Sequence, residues 1–143
     1  MMKEKAKRMV NRSFTAALAA ALLLTLAACS GTKLPDGFDE KTVKETATKF
    51  LDYLTAGEYD SGMDMMSEVM TAALSKEDLT AIMEDLDRQV GAFKEYKSIA
   101  VVGQTSQGVE YATAVVVASY EKRNVTYTVV FNKDMEIDGF YLR

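Results

Sequence analysis

The last part of the chain alternates between apolar and polar positions, which is typical of β-strands. Three such segments follow one another: Val109 to Glu121, Val125 to Asn132 and Met135 to Leu142. β-Branched and aromatic residues are frequent in them, and the polar pairs Arg123-Asn124 and Lys133-Asp134 lie between them. The pattern predicts three consecutive antiparallel strands joined by tight turns.

A fourth strand is predicted in front of these three. The apolar residues between Phe93 and Gly103 favour an extended segment, and Gln107-Gly108 supplies the turn that follows it. The four strands then form an antiparallel meander. Because a meander is stable only when its apolar face is covered, we expect the preceding helices to pack on it.

Before the strands, apolar residues recur at helical spacing. The first helix is predicted to begin at Asp39, a good N-cap, and to end at Gly57. Its apolar stripe comprises Val43, Ala47, Phe50, Leu51 and Leu54. A second helix is predicted over a methionine-rich stretch, in which four residues have near-helical spacing: Tyr59, Met63, Met66 and Met70.

The third helix has the clearest boundaries. Ser75 and Asp78 resemble a capping box, and Gly91 ends the helix. Its apolar face comprises Leu79, Ile82, Met83, Leu86 and Val90. Three helices followed by a curved four-stranded antiparallel meander predict a single α+β domain, which we place at residues 38–143.

The second strand of the meander is apolar on both faces. Val115 and Val117 point to one side, and the other side carries Ala112, Ala114, Val116 and Ala118. Helices can cover one of these faces, so the other is either a mildly apolar solvent face or a partner surface. We expect Glu110, Glu121 and Glu136 to lie on an exposed face of the sheet.

The beginning of the chain has the pattern of a secretory signal peptide. Basic residues dominate the first twelve positions, and Ser13 to Ala28 is uncharged. This apolar segment is shorter than the roughly 20 residues that a membrane-spanning helix needs. We therefore expect residues 1–28 to be removed on export.

The segment Leu26-Ala27-Ala28-Cys29 contains the only cysteine of the chain. It resembles the lipobox of bacterial lipoproteins, which implies a diacylglyceryl group on the sulfur of Cys29 and cleavage just before it. The alternative is a chance cysteine after a signal peptide, or a buried thiol. With the lipid, residues 29–37 become a tether, and the domain is held at the outer leaflet of the cell membrane.

Charge limits the partners of the processed chain. The full chain has 17 basic and 21 acidic residues, and removal of residues 1–28 leaves 12 basic and 20 acidic ones, a formal net charge of −8. An acidic domain repels nucleic acid and anionic lipid headgroups. We therefore expect no nucleic-acid partner, and membrane contact only through the lipid on Cys29. No second thiol is present to form a disulfide.

Three segments of the domain resemble one known family. They are Gly57-Glu58-Tyr59, the stretch from Asp87 to Lys94, and the ending from Val129 to Phe140 with its Ile-Asp-Gly-Phe. Together they resemble the bacterial family called domain of unknown function 3887. The resemblance implies a small lipoprotein of Gram-positive bacteria and a cone-shaped fold of the nuclear transport factor 2-like superfamily. It implies no catalytic residue.

The residue inventory excludes several kinds of site. The chain has no histidine, so Ser-His-Asp and Cys-His nucleophiles and the common zinc sites are excluded, and there is no Gly-rich phosphate loop. We expect no metal and no cofactor. An enzyme would have to use Asp52 or Asp64 as base with Tyr53, Tyr111 or Tyr127 as donor. The alternative is solvent-facing carboxylates and core rings, and we favour a non-enzymatic domain.

Two binding modes remain. In the first, a small apolar ligand or peptide lies between helices and sheet, in a pocket lined by Phe50, Tyr53, Met63, Met66, Tyr111 and Tyr127. The methionines serve equally well as core filler. In the second, the outer face of the sheet binds a partner or a second copy, with Val115 and Val117 or Val116 and Ala118 at its centre. An enclosed cavity favours the first mode, and a filled interior favours the second.

Overall fold

The first element of the computed structural model, which describes residues 33–143, is the helix α1, Glu40–Thr55. Asp39 is its N-cap, since its side chain accepts a hydrogen bond from the backbone N–H of Thr42. The five stripe residues predicted for this helix are all buried. The sequence pattern therefore predicted the start of α1 and its buried face correctly.

Seven further elements follow α1. They are the helices α2 (Tyr59–Met63), α3 (Glu68–Ala73) and α4 (Lys76–Val90), and the strands β1 (Phe93–Ser106), β2 (Val109–Tyr120), β3 (Asn124–Phe131) and β4 (Ile137–Leu142). The strands form one antiparallel sheet of order β1-β2-β3-β4. The predicted α+β class, with helices on a four-stranded meander, is confirmed.

The prediction of one continuous second helix is wrong. The methionine-rich stretch forms α2 and α3, and the residues between them pair with β4 through a parallel bridge between Met66 and Ile137. Ser67 then caps α3 by accepting a hydrogen bond from the backbone N–H of Met70. The pairing with β4 and the new cap replace the helical hydrogen bonds that a continuous helix would make.

The capping box of α4 is present as predicted. The backbone N–H of Asp78 donates to the Ser75 hydroxyl over 3.1 Å, and the Asp78 carboxylate accepts from the backbone N–H of Ser75 over 3.4 Å. Gly91 is the C-cap, with a positive φ of 79°. One residue of the predicted apolar face, Ile82, lies at its margin and is 39% exposed.

Replacing Ser75 with alanine is expected to lower the free energy of unfolding by about 1 kcal/mol, because the N–H of Asp78 loses its side-chain acceptor. Urea unfolding monitored by circular dichroism measures this change. Ser98, an exposed serine of β1, is the control, and its replacement by alanine is expected to cost less than about 0.5 kcal/mol. Equal stability of the two variants would contradict the capping role of Ser75.

The register of the strands defines two faces of the sheet. The inner face carries the fully buried Ala112, Ala114, Val116 and Ala118 of β2, so α1 packs across β1 and β2 on small side chains. The outer face carries the alternate positions, including the partly buried Val115 and Val117. Of the two centres left open by the sequence, Val116 and Ala118 therefore belong to the core.

The turn between β3 and β4 is longer than the predicted pair Lys133-Asp134. The side-chain oxygen of Asn132 accepts hydrogen bonds from the backbone N–H groups of Asp134 and Glu136, each over 3.0 Å. Met135 has a positive φ of 59° and belongs to this turn, so β4 begins at Ile137. An Asx-type turn of this kind shortens the strand that follows it.

The compact unit begins at Lys33, within the segment predicted as tether. Leu34 packs against the hydrophobic core, and the chain from Lys33 to Pro35 passes so close to Gly103 that a Cβ there would clash with it. Lys133 donates a hydrogen bond to the carbonyl of Asp36. The signal peptide predicted at residues 1–28, Cys29 itself and tether residues 30–32 lie outside the described residues.

Candidate functional site

Aromatic rings fill the space between α1 and the inner face of the sheet. Phe50 and Phe140 make an edge-to-face contact with ring centroids 5.2 Å apart, and Phe140 stacks on Tyr127 at 6.0 Å. Phe50 and Tyr127 are both fully buried. Each of these two rings packs against the ring of Phe140 in the core. The structure therefore places these two candidate pocket residues in a packed interior.

The other four candidate pocket residues lie apart from one another. Met66 is buried beside β4, Met63 is partly buried at the end of α2, and Tyr53 is partly buried on α1 with the Lys49 ammonium 5.9 Å from its ring centroid. Tyr111 lies on the outer face of the sheet, opposite Gln104 in the register. The structure does not bring the six together around one cavity.

A cluster of tyrosines lies at the end of the sheet where β1 begins. The hydroxyl groups of Tyr120 and Tyr127 are hydrogen bonded to each other. The hydroxyl of Tyr96 donates to a carboxylate oxygen of Asp52 over 2.7 Å. The ring of Phe93 contacts the rings of Tyr96 and Tyr120, with centroids 4.9 and 5.7 Å away. We call these four aromatic residues the tyrosine cluster.

The phenols of the tyrosine cluster are held in their neutral form. Burial raises the pKa of Tyr96, and its hydrogen bond to Asp52 raises the pKa further. Burial also raises the pKa values of Tyr120 and Tyr127. The hydrogen bond between them raises the pKa of Tyr127 further and lowers that of Tyr120, which burial still holds above its ordinary value. At neutral pH the cluster therefore contains no phenolate nucleophile, and its hydroxyl groups are already hydrogen bonded to Asp52 or to each other.

The structure places the proposed catalytic carboxylates at the surface. Asp52 is exposed and accepts the hydrogen bond of Tyr96, and Asp64 is exposed at the C-cap of α2. The donors proposed for them were Tyr53, Tyr111 and Tyr127. Tyr96 and Tyr120 were missed, because the partner of Tyr96 lies 44 positions away in the sequence. The only local signal was the inward position of Tyr96 on β1.

An open cleft of about 650 Å³ lies next to the tyrosine cluster, between the ends of α1 and α4. Its lining residues are Thr55, Ala56, Asp87, Gly91, Ala92 and Phe93. We call it the α1–α4 cleft. Both helices end here, so their carboxyl ends add partial negative charge to that of Asp87. The side chain of Glu121 lies against Gly91 and is a further carboxylate.

The outer face of the sheet is a second candidate site, because it is nearly free of charge. Its residues from Ser98 onwards are Ser98, Ala100, Val102, Gln104, Ser106, Tyr111, Thr113, Val115, Val117, Ser119, Thr126, Thr128, Val130, Gly139 and Tyr141. Charged residues make up 27% of the chain, and here they lie only at the rim, as Glu95, Asp138 and Arg143. We call this surface the outer patch.

The outer patch contains a shallow cleft of about 270 Å³ between Tyr111 and Tyr141. Tyr141 is 66% exposed and its ring lies over Gly139, where a Cβ would be 3.3 Å from the ring. Thr113 is buried, and its hydroxyl donates a hydrogen bond to the side-chain oxygen of Gln104. The patch is therefore made mostly of small, hydroxyl-bearing and aromatic side chains, and Asp138 is the one charged residue among those that line its cleft.

Of the three glutamates predicted on an exposed sheet face, only Glu110 is in a strand, where it is exposed and pairs with Lys133 over 2.8 Å. Glu121 follows β2 beside Gly91, and Glu136 lies in the turn before β4. Each is placed at an end of the sheet by the turn next to it. The outer patch is therefore less charged than the sequence predicted.

Residues 33–143 contain no group of three or more carboxylate, cysteine or histidine side chains that could hold a metal ion. In the same part of the chain, no helix is both long enough and apolar enough to cross a membrane.

The comparisons with known proteins bear on family and fold. Residues 47–140 match the family described as Protein of unknown function (DUF3887). An NMR structure of a protein from Ruminococcus gnavus ATCC 29149 is similar, with a TM-score of 0.65 and 26% identity over 78% of this chain and 96% of that one. No curated protein matches the chain significantly. Because the family model spans well over half of the chain, from α1 to β4, the chain belongs to the DUF3887 family of proteins of unknown function.

Proposed function

We propose that this chain is an exported, lipid-anchored protein whose domain is a non-enzymatic self-association module, and that the outer patch pairs with the same patch of a second copy. The observation that carries the proposal is the absence of charged side chains from the central part of this face in an acidic domain. Depletion of charge at the centre and a charged rim are the composition of protein interfaces. The filled interior favours this mode over a ligand enclosed between helices and sheet.

The size of the outer patch limits the area that the association can bury. Four strands about 4.8 Å apart and about nine residues of β2 give a patch of roughly 500 Å². A stable interface buries about 800 Å² on each partner, so two patches together bury about 1,000 Å², near the lower limit for a specific contact. The pairing is therefore weak in free solution.

Anchoring compensates for this weakness. Two acyl chains on Cys29 hold the domain at the membrane, whereas one chain gives only marginal binding. Confinement to one leaflet raises the effective concentration of the domains, as a tether does in a multivalent complex. The lipobox-like Leu26-Ala27-Ala28-Cys29 and the basic, then apolar, segment before it support the anchor.

The pairing is tested by cross-linking the lipidated protein in vesicles. With Cys29 consumed by lipid, a Thr128→Cys variant carries one free thiol at the centre of the outer patch. A short bismaleimide is expected to cross-link this variant efficiently, and a control cysteine at the exposed Ala81 of α4 hardly at all. Equal cross-linking at both positions, or none at Thr128, would contradict the pairing.

A charge placed in the patch is expected to abolish the cross-link. Val117→Glu in the Thr128→Cys protein puts two like charges into a face-to-face contact, which costs several kcal/mol in an interface. The matched control is Ala81→Glu, which adds the same charge to the exposed side of α4 and is expected to change nothing. A Val117→Glu protein that cross-links like its parent would argue against the patch.

A second candidate function is the binding of a small ligand in the α1–α4 cleft. Its volume of about 650 Å³ lies within the range of ligand pockets, and the neutral phenols of the tyrosine cluster lie beside it. Native mass spectrometry of the protein purified from cells tests this candidate. A retained small molecule that is lost on Phe93→Ala substitution supports it, and a ligand-free spectrum argues against it.

The proposal also includes membership of the nuclear transport factor 2-like superfamily. It is supported by the order of helices before a four-stranded antiparallel meander and by the packing of α1 across β1 and β2. The cone of that superfamily has its helices inside the curve of the sheet. The two irregularities in β1 and the bulge before Gly139 are features that bend strands, which supports a curved sheet.

A further inference from the structure

The first described residues of the chain dock at one end of the sheet. Lys33 to Pro35 lie against Gly103, and Leu34 contacts the core. Lys133 holds the next residues, since its ammonium donates to the Asp36 carbonyl and lies 4.9 Å from the ring centroid of Phe38. The chain is therefore fixed to the domain from Lys33 onwards, and not only from Phe38.

The meander has two distinct ends. The turn between β1 and β2 and the turn between β3 and β4 lie at one end, together with the docked segment from Lys33 to Phe38. The opposite end carries the turn between β2 and β3, the start of β1 and the α1–α4 cleft. β2 has 12 residues. At about 3.4 Å per residue, the two ends are roughly 40 Å apart.

From these positions we propose that the domain stands on the membrane with the β1–β2 and β3–β4 turns facing the lipid surface and the α1–α4 cleft facing away from it. The inference rests on the lipid anchor at Cys29 that we propose above. Only residues 30–32 separate Cys29 from Lys33. Four residue steps span at most about 14 Å, which is well short of the distance to the far end.

A short tether alone would still allow the domain to lie on its side. The pairing proposed above opposes this. The outer patch is covered by the second copy. Two domains that stand upright in the same leaflet can bring their outer patches together, because those faces are then perpendicular to the membrane.

The orientation restricts what reaches the α1–α4 cleft. Its lining includes Thr55, Ala56 and Phe93, at the end that the tether keeps away from the bilayer. A molecule that enters it comes from the extracytoplasmic space and not from the leaflet that holds the anchor. The carboxylates of Asp87 and Glu121 favour a molecule with a positive charge or with hydrogen-bond donors.

Fluorescence quenching in vesicles tests the orientation. Single cysteines replace Asp134 in the β3–β4 turn, Lys122 in the β2–β3 turn and Ala81 on α4, all of which are exposed. Each lipidated protein is labelled with bimane, and the vesicles contain lipids with a nitroxide on the headgroup. The label at Asp134 is expected to be quenched about threefold more strongly than the label at Lys122, because quenching requires close approach and the eight residues of β3 between the two turns span roughly 27 Å. The label at Ala81 is expected to give an intermediate value.

A longer tether provides the matched control. An insertion of about twelve Gly and Ser residues between Thr32 and Lys33 is expected to remove most of the difference between the labels, because a flexible linker frees the orientation. Equal quenching at Asp134 and Lys122 in the original protein would overturn the orientation. So would a difference that survives the insertion unchanged, because the tether would then not be its cause.

Failure of the anchor is distinguished from failure of the orientation in the same samples. Flotation of the vesicles and the mass of the N-terminal peptide report whether Cys29 carries lipid. A chain that neither floats nor carries lipid overturns both the anchor and the orientation. A chain that floats with equal quenching at both turns overturns the orientation alone, and the anchor stands.

Discussion

Replacing Phe50 with alanine is expected to lower the free energy of unfolding by about 3–5 kcal/mol. Phe50 is fully buried on α1, and its ring makes the edge-to-face contact with Phe140 that continues to Tyr127. The loss comprises the transfer free energy of the ring and the cost of the cavity that remains, because the surrounding residues close the cavity only partly. Since a domain of this size has about 5–15 kcal/mol of stability, the variant is expected to be near its unfolding threshold.

Urea unfolding followed by far-ultraviolet circular dichroism measures this effect. Phe50→Leu keeps an apolar side chain of closer volume and is expected to retain most of the stability. Tyr53, three residues later on α1 and only partly buried, is the position control, and Tyr53→Ala is expected to cost much less. A Phe50→Ala protein as stable as the wild type would mean that Phe50 lines a pocket and not a packed core.

Raising the pH above 10 is expected to destabilise the fold steeply, because the buried phenols of Tyr120 and Tyr127 have raised pKa values in the folded state. In the unfolded chain a tyrosine ionises near pH 10. Above that pH the unfolded state has lost protons that the folded state still binds. The stabilisation is therefore fully present below pH 10 and is lost as the pH rises toward the pKa values of the folded state.

The size of the alkaline effect follows from linkage. Each tyrosine that stays protonated only in the folded state contributes about 1.4 kcal/mol per pH unit, so the pair contributes at most about 2.7 kcal/mol per unit. Urea midpoints measured between pH 8 and 11 give this slope. The Tyr120→Phe/Tyr127→Phe double variant is expected to reduce this slope but not to remove it, because Tyr96 also has a raised pKa. Tyr141→Phe, at an exposed ring, is expected to leave the slope unchanged. An unchanged slope in the double variant would refute the assignment.

The same pair is informative at neutral pH. Tyr127→Phe alone leaves the buried hydroxyl of Tyr120 without its partner, which costs about 1–3 kcal/mol. Removing both hydroxyls leaves no unsatisfied group. The double variant is therefore expected to be more stable than the single Tyr127→Phe variant.

The elements with local signals were predictable from the sequence. Asp39 and Ser75 accept hydrogen bonds within the first turn of α1 and α4, so their effect depends only on residues three positions away. The strands have alternating side chains, and the turn at Gln107-Gly108 takes the positive φ values that such a turn requires. Caps and turns of this kind can be predicted without knowledge of the fold, because they depend on residues only a few positions apart.

The missed features depend on contacts between distant segments. The chain leaves the helical pattern at Met66 because Ile137 of β4, about seventy residues later, bonds to the carbonyl of Met65 and the N–H of Ser67. Asp52 and Tyr96 meet only when α1 packs on β1. The position of Leu34 likewise depends on the packing of its segment against the core. Composition and periodicity carry no information about any of these three contacts.

The candidate site was predictable only in part. The sequence shows that β2 is apolar on both sides but not which side the helices cover, because alanine and valine suit either environment. The small inner residues Ala112, Ala114 and Ala118 let α1 approach closely, which leaves Val115 and Val117 outside. Tyr111 lies on the outer face with Val115 and Val117, because successive side chains of a strand point to opposite faces of the sheet.

The bridge between Met66 and Ile137 has a consequence for aggregation. An open sheet ends in strands whose free N–H and C=O groups recruit further strands, which is the route to fibrils. Here the short β4 has its backbone partly occupied by Met65 and Ser67, and β1 is kinked by two irregularities next to Lys94 and Lys97. Both borders of the sheet thus resist the addition of another strand. Contact between two copies through the faces of their sheets, as proposed above, therefore need not grow into continuous β-ribbons.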